Sequence, residues 1–173
     1  MLRRVPSPLL AAPFAAALLL SGCMGARGVD TPAVPEARSY EGPGCPAIVV
    51  QSGAQARVVY SGNTTDSSRI RYQVGILEVS RTCSILNDVI SVNISVYGRF
   101  AGGPAAQAGT VRDTLRAAVV AADGAVVSTR DFAISGTLAA PIYGQDFRVT
   151  DSIVVPAPTV GTLYRVLVGV DQG

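Results

Sequence analysis

The feature that most constrains this chain is the alternation at residues 89–97, where Ile90, Val92, Ile94 and Val96 share one parity and Ser91, Asn93 and Ser95 the other. A period of two puts every second side chain on one face of an extended strand, so the segment reads as an antiparallel strand with one face buried and one wet. A helix would scatter the same residues around its axis. Short β-branched runs of similar character recur along the chain, divided by Gly, Pro, Asn and Asp, beginning with Ile48-Val49-Val50 and Arg57-Val58-Val59-Tyr60. From Arg69 onward, Ile70, Tyr72, Val74 and Ile76 lie on one face and Arg69, Arg71 and Gln73 on the other. That phase slips after Gly75, where Ile76 and Leu77 are consecutive apolar residues, and a glycine beside a phase slip predicts a β-bulge.

Asp123-Gly124 sits between the apolar runs 115–122 and 125–132, which predicts a hairpin closed by a type I′ turn with positive φ at both central residues. Further runs cover 134–138, 147–155 and 163–170, with Pro156 and Pro158 separating the last two. Residues 110–120 carry a competing signal. Val111, Leu115 and Val119 are four apart, and Asp113 follows Thr110 by three as in a capping box, so a short helix competes with a strand there. The Asp-Gly turn just downstream favours the strand. Together these runs predict an all-β fold of about eight short strands, an antiparallel two-sheet sandwich of immunoglobulin- or fibronectin-like architecture, with a closed barrel as the second choice.

Composition removes most familiar chemistry. The chain has no histidine, no lysine and no tryptophan. Without histidine there is no Ser-His-Asp or Cys-His machinery and no imidazole-built zinc site. Without lysine there is no Ser-Lys dyad, Schiff base or P-loop lysine. Carboxylates remain, and a pair such as Asp146 and Asp151 is the candidate for acid–base work on a glycosidic bond. Isolated aspartates at turns are more often solvated turn-formers, so the chain reads as a non-enzyme with no cofactor and no metal. The fourteen basic side chains are all arginine. Removing Arg3 and Arg4 with the leader described next leaves twelve against twelve acidic groups, so charge gives no case for nucleic acid.

The N-terminus follows the grammar of an export signal. Arg3 and Arg4 form a basic start, residues 9–20 an apolar stretch too short for a permanent membrane span of about 20 residues, and Leu20-Ser21-Gly22-Cys23 follows directly. That last run resembles the lipobox of bacterial lipoproteins. The resemblance implies cleavage before Cys23, with lipid on its sulfur and palmitate-like acyl groups on the new N-terminus. Several acyl chains anchor stably where a single one does not. Met24 stands where an aspartate would favour retention in the inner membrane, so the resemblance places the protein at the outer membrane of the cell envelope. The expected organisation is therefore a signal peptide over 1–22, a lipidated Cys23 with a Pro/Gly/Ala-rich tether to 44, and a β-sandwich over 45–173. Pro32, Pro35, Pro43 and the glycines at 25, 28, 42 and 44 interrupt any apolar periodicity in the tether.

With Cys23 taken by lipid, Cys45 and Cys83 form an even pair in an oxidising compartment and are expected to be a structural disulfide. A glycine-rich loop over 98–109 would carry Arg99 and Phe100 as a binding loop for an anionic or glycan partner. The reading the residues favour has Phe100 finishing a strand and packing inward. Arg81-Thr82-Cys83, Tyr97-Gly98-Arg99, Gly103-Pro104, the run Leu115-Arg116-Ala117-Ala118-Val119-Val120 and the closing Val168-Gly169-Val170-Asp171 resemble an uncharacterised group of small proteobacterial envelope lipoproteins. That group implies a class of protein and no activity.

The expectation is thus a lipid-anchored envelope lipoprotein whose β-sandwich is a structural or binding module. Its partners would be membrane lipid through acylated Cys23 and an envelope protein or glycan. An accessory subunit of an envelope assembly or secretion machine is the alternative, and a carboxylate-only hydrolase the third reading. Cys23→Ser should abolish fatty-acid labelling and lipoprotein processing, and the protein should leave the membrane fraction. Unchanged membrane fractionation of that variant would mean that something other than Cys23 anchors the chain.

Overall fold

The computed structural model describes residues 38–40, 44–157 and 163–173, so the expected lipidation site Cys23, the lipobox-like run before it and most of the expected tether lie outside the described residues. Nine strands account for most of the described chain: β1 Arg38–Tyr40, β2 Ala47–Val50, β3 Ala56–Tyr60, β4 Ile70–Leu86, β5 Val89–Gly102, β6 Gly109–Ala121, β7 Val126–Leu138, β8 Gly144–Pro156 and β9 Tyr164–Val170. The only helical element among the described residues is a single 3₁₀ turn, Ser67–Arg69, capped by the Asp66 carboxylate accepting from the Ser68 amide at 2.9 Å. The strands form two sheets. One runs β1-β4-β5-β8 with β3 also paired to β4, and the other runs β2-β9-β6-β7. The all-β two-sheet sandwich expected from the alternation is the observed architecture. All pairings are antiparallel except β2 with β9, which is parallel.

The strands are fewer interruptions and more length than the sequence suggested. β4 has 17 residues, β5 14, and β6, β7 and β8 13 each, so "short" is corrected. Polar and glycine residues that looked like breaks keep strand parity instead. Cys83 lies inside β4 opposite Val92 and is fully buried. The pattern was hidden by Arg81, which occupies an inward register position opposite Ile94. The predicted bulge is present: register shifts between Ile76 and Glu78, and the extra residue, Leu77, turns to solvent. Residues 110–120 are strand, within β6.

Both hairpins carry turn chemistry that the sequence assigned to one. Asn87 and Asp88 join β4 to β5 with φ of 49° and 60°, the two positive values a type I′ turn requires. At Asp123-Gly124 only the glycine has positive φ, 87°. There the Gly124 amide donates to the Ala121 carbonyl and the Ala121 amide to the Ala125 carbonyl, both at 2.9 Å. That is a three-residue loop ending in a left-handed glycine, which the Asp123 carboxylate supports by accepting from the Ala125 amide. The hairpin forms as expected and its turn type is corrected.

The inward face of β5 supplies the centre of the core, with Ile90, Val92, Ile94, Val96 and Phe100 all buried. Phe100 packs edge-on to Tyr72 at 6.1 Å between centroids and tilted to Phe147 at 5.3 Å. Two glycines make room for these rings. Gly98 lies opposite Phe147, and a Cβ there would collide with that ring and stand 2.5 Å from the Gly75 carbonyl oxygen. Gly136, in the facing sheet, would place a Cβ 2.7 Å from the Phe100 ring.

A disulfide and an ion pair are among the ties that cross between the sheets. Cys45, just before β2, is bonded to Cys83 of β4, with Cα atoms 5.6 Å apart. The expected disulfide is therefore present in the structure, and closing a loop of that size stabilises the fold by about 4 kcal/mol in the chain-entropy picture. At the other end the Arg57 guanidinium reaches from β3 to Asp113 of β6 at 3.0 Å. β1 falls inside the stretch expected to be tether, and it pairs with β4 from Arg38 opposite Ile85 to Tyr40 opposite Cys83. The edges of β7 and β8 lie alongside each other without forming a ladder, so the barrel alternative does not close. Gly136→Ala should lower stability by about 1–3 kcal/mol through overpacking against Phe100, read as a melting temperature several degrees lower with an unchanged far-ultraviolet spectrum.

Candidate functional site

Arg99 and Phe100 are not on a loop. Both lie in β5, which continues to Gly102, and they face opposite sides of the sheet. Phe100 is in the core and is unavailable to a partner. The binding-loop expectation is corrected for a simple reason: alternation continues through Tyr97-Gly98-Arg99-Phe100, because the Phe147 ring fills the space that Gly98 leaves empty.

Arg99 belongs to a different surface, the outer face of the five-stranded sheet. Cross-strand register sets side chains of β4, β5 and β8 in rows there. Ser84 lies opposite Ser91 and that opposite Val154, Thr82 opposite Asn93 opposite Ser152, and Ser80 opposite Ser95 opposite Thr150. The next rows are Glu78, Tyr97, Arg148 and then Arg99, Asp146. Strand spacing of about 4.8 Å and a two-residue repeat of about 6.7 Å make this a regular grid of hydroxyls and amides bordered by charge. The Tyr97 hydroxyl donates to Asp146 Oδ2 at 2.7 Å, and Arg99 Nη1 lies 3.5 Å from Asp146 Oδ1. The Arg148 guanidinium stands over the Tyr97 ring at 5.3 Å and reaches Ser95 Oγ at 3.4 Å, which in turn is 3.3 Å from Thr150 Oγ1. These contacts order long side chains that would otherwise be free, so the grid and its charged border are held in one arrangement.

Asp146 and Asp151 are not a catalytic pair in this geometry. Five positions apart on β8, they have opposite parity, and each meets a different arginine. Asp146 meets Arg99, and Asp151 meets Arg130 of β7 at 3.2 Å. The Ser152 amide, followed by Arg130, holds the Asp151 carboxyl below the 3.8 of a free aspartate.

A second polar feature lies inside the sandwich. Asp113, which the helix reading made a cap residue, is almost wholly buried, with Oδ1 accepting from Arg57 and from the Thr114 amide at 2.9 Å. Its Oδ2 has no hydrogen-bond partner. Tyr72 reaches across beside it to donate to the Arg112 carbonyl at 3.0 Å. A cleft of about 460 Å³, with Arg112, Ser135 and Asp171 on its walls, opens next to this pair. This interior carboxylate, paired with a partly exposed arginine, ties β3 to β6. Among the described residues no three His, Cys, Asp or Glu side chains group as metal ligands.

Sequence reasoning missed the grid. Ser91, Asn93, Ser95, Tyr97 and Arg99 were visible as one outward stripe, but their neighbours come from β4 and β8, about 15 and 55 residues away. No known protein family, curated protein or solved structure matches this chain.

Tyr97 and Tyr72 set the alkaline behaviour. The hydrogen bond to Asp146 raises the Tyr97 hydroxyl above the 10.0 of a free tyrosine, and burial, then the Asp113 charge, does the same for Tyr72. Above that free value the unfolded chain has released phenolic protons that the folded chain still holds. Stability from these groups is therefore fully present below pH 10.0 and declines as pH rises through the folded values. Phenolate absorbance should show two of the tyrosines ionising late. Tyr97→Phe should remove one late titration without unfolding the protein.

Proposed function

We propose that this chain is a lipid-anchored lipoprotein of the bacterial cell envelope, at the outer membrane, and that its sandwich is a non-catalytic binding module. The outer face of the five-stranded sheet holds an envelope glycan. The observation that carries this reading is the two full rows of Ser, Thr and Asn side chains, with Ser84 and Ser91 beyond them, ending at Tyr97, Arg99, Asp146 and Arg148. A glycan presents hydroxyls in a repeating array, each both donor and acceptor, and short hydroxyl side chains on rigid strands meet them with little rotamer entropy to lose. Arginine at the border suits the carboxylates or phosphates that envelope glycans carry. The lipobox residues Leu20-Ser21-Gly22-Cys23 support the anchoring, and the absence of histidine and lysine supports a module without covalent or imidazole chemistry.

The test is sedimentation of the detergent-solubilised lipoprotein with purified peptidoglycan and, separately, with lipopolysaccharide. Arg148→Ala and Asn93→Leu should each weaken retention about tenfold, roughly 1.4 kcal/mol. Arg116→Ala, on the other sheet, should leave it unchanged. Folded protein retained by neither polymer overturns the glycan reading, and a stoichiometric protein partner in the same extract would instead support an accessory subunit of an envelope assembly.

A further inference from the structure

The exposed large apolar side chains are concentrated at one end of the sandwich. Leu86 lies opposite Val89 at the β4–β5 hairpin, Val89 opposite Pro156, and Val154 one row further along β8 on the same outer face. Ile85 and Val126, at the inward register positions nearest the two hairpins, are exposed, and Leu163, 73 % exposed, shares a groove with Ala122 at the same end. The two hairpins belong to the same end. Cys83, two residues before Ile85, is bonded to Cys45, and Ala47 just beyond Cys45 pairs with Arg165. A groove of about 460 Å³ with mostly apolar walls, including Pro46, Ala47, Ala122 and Leu163, opens there. The opposite end lacks such a cluster among the described residues and exposes Ile142 alone of the large aliphatic side chains in its loops.

Strand β1 says which way this end points. It runs antiparallel to β4, with Arg38 opposite Ile85 and Tyr40 opposite Cys83. The chain that precedes it therefore arrives at the apolar end and then runs toward the middle of the sheet. Fourteen residues separate Cys23 from Arg38. Even fully extended, fourteen residues reach no more than about 50 Å, so an anchor at Cys23 keeps the apolar end near the bilayer it is inserted in. Tethering makes the contact intramolecular, and a modest apolar patch then suffices to keep it closed.

We propose that this end docks on the membrane surface, with Leu86, Val89 and Val154 in the headgroup region and the sandwich standing on its two hairpins. The proposal rests on the lipid-anchor reading. The hairpin tips carry Asp88 and Asp123 and no basic cluster, so docking is apolar and favours a zwitterionic surface over an anionic one. Standing upright in this way turns the hydroxyl grid of the outer face perpendicular to the membrane, open to a glycan layer alongside.

The chain contains no tryptophan, which gives a silent background. Leu86→Trp, Val154→Trp and Ile142→Trp are made separately in the full lipidated protein and reconstituted into phosphatidylethanolamine/phosphatidylcholine vesicles with brominated acyl chains. Emission at positions 86 and 154 should move to the blue and be quenched at least twofold more than at 142, and adding phosphatidylglycerol should reduce the difference. Acyl labelling and vesicle flotation are scored on the same samples. Labelled, floating protein with equal quenching at all three positions overturns the docking alone. Absence of label and flotation overturns the anchoring reading and the docking with it. Shielding of position 86 by a co-purified protein, in detergent and without lipid quenching, overturns the membrane as the occupant.

Discussion

The fit of the Phe100 ring against Gly136 sets the separation of the two sheets where the aromatic residues meet. A sandwich core is filled by side chains from both inner faces, and a large ring needs a small residue facing it. Here the ring of β5 takes the space that Gly136 of β7 leaves, while Tyr72 and Phe147 close on it from its own sheet. Gly98 repeats the device within the sheet by leaving its position to the Phe147 ring. The long strands follow from this. A glycine that would end an isolated strand continues one here, because an aromatic neighbour covers the exposed backbone.

The disulfide fixes the other end in a different way. Chain entering through β1 in one sheet leaves through β2 in the other, and Cys45–Cys83 closes that crossover. β2 has only four residues and a single parallel partner, so ladder bonds alone would hold it weakly. The cross-link joins it to β4, the longest strand of the fold. Aromatic packing and the disulfide thus divide the work between the two ends, with the aliphatic stripe of β5 running between them.

What the sheets present outward follows from the same rigidity. The grid on the outer face exists because β4, β5 and β8 stay in register over most of their length, interrupted only at Leu77. Each side chain in it is unremarkable alone. Their usefulness for binding comes from fixed spacing, which flexible loops bearing the same residues would not supply. The apolar end is the complement: the last rows, near the hairpins, change from hydroxyls to Leu86, Val89 and Val154.

Alternation by itself determined that the chain is all β, which face of residues 89–97 is buried and where the Ile76–Leu77 bulge falls. These are local arguments, since a strand face has a period of two; with three cysteines in the chain, the Cys45–Cys83 pairing was an expectation that the structure bears out. The lengths of the strands, the turn at Asn87-Asp88 and the pairing of Asp113 with Arg57 were decided only by tertiary structure. Each depends on what lies across the sheet or in the facing one, where an aromatic ring can replace the missing side chain of a glycine and an arginine 56 residues away can compensate a buried carboxylate. The hydroxyl grid belongs with these, because a row needs three strands and the sequence shows one strand at a time.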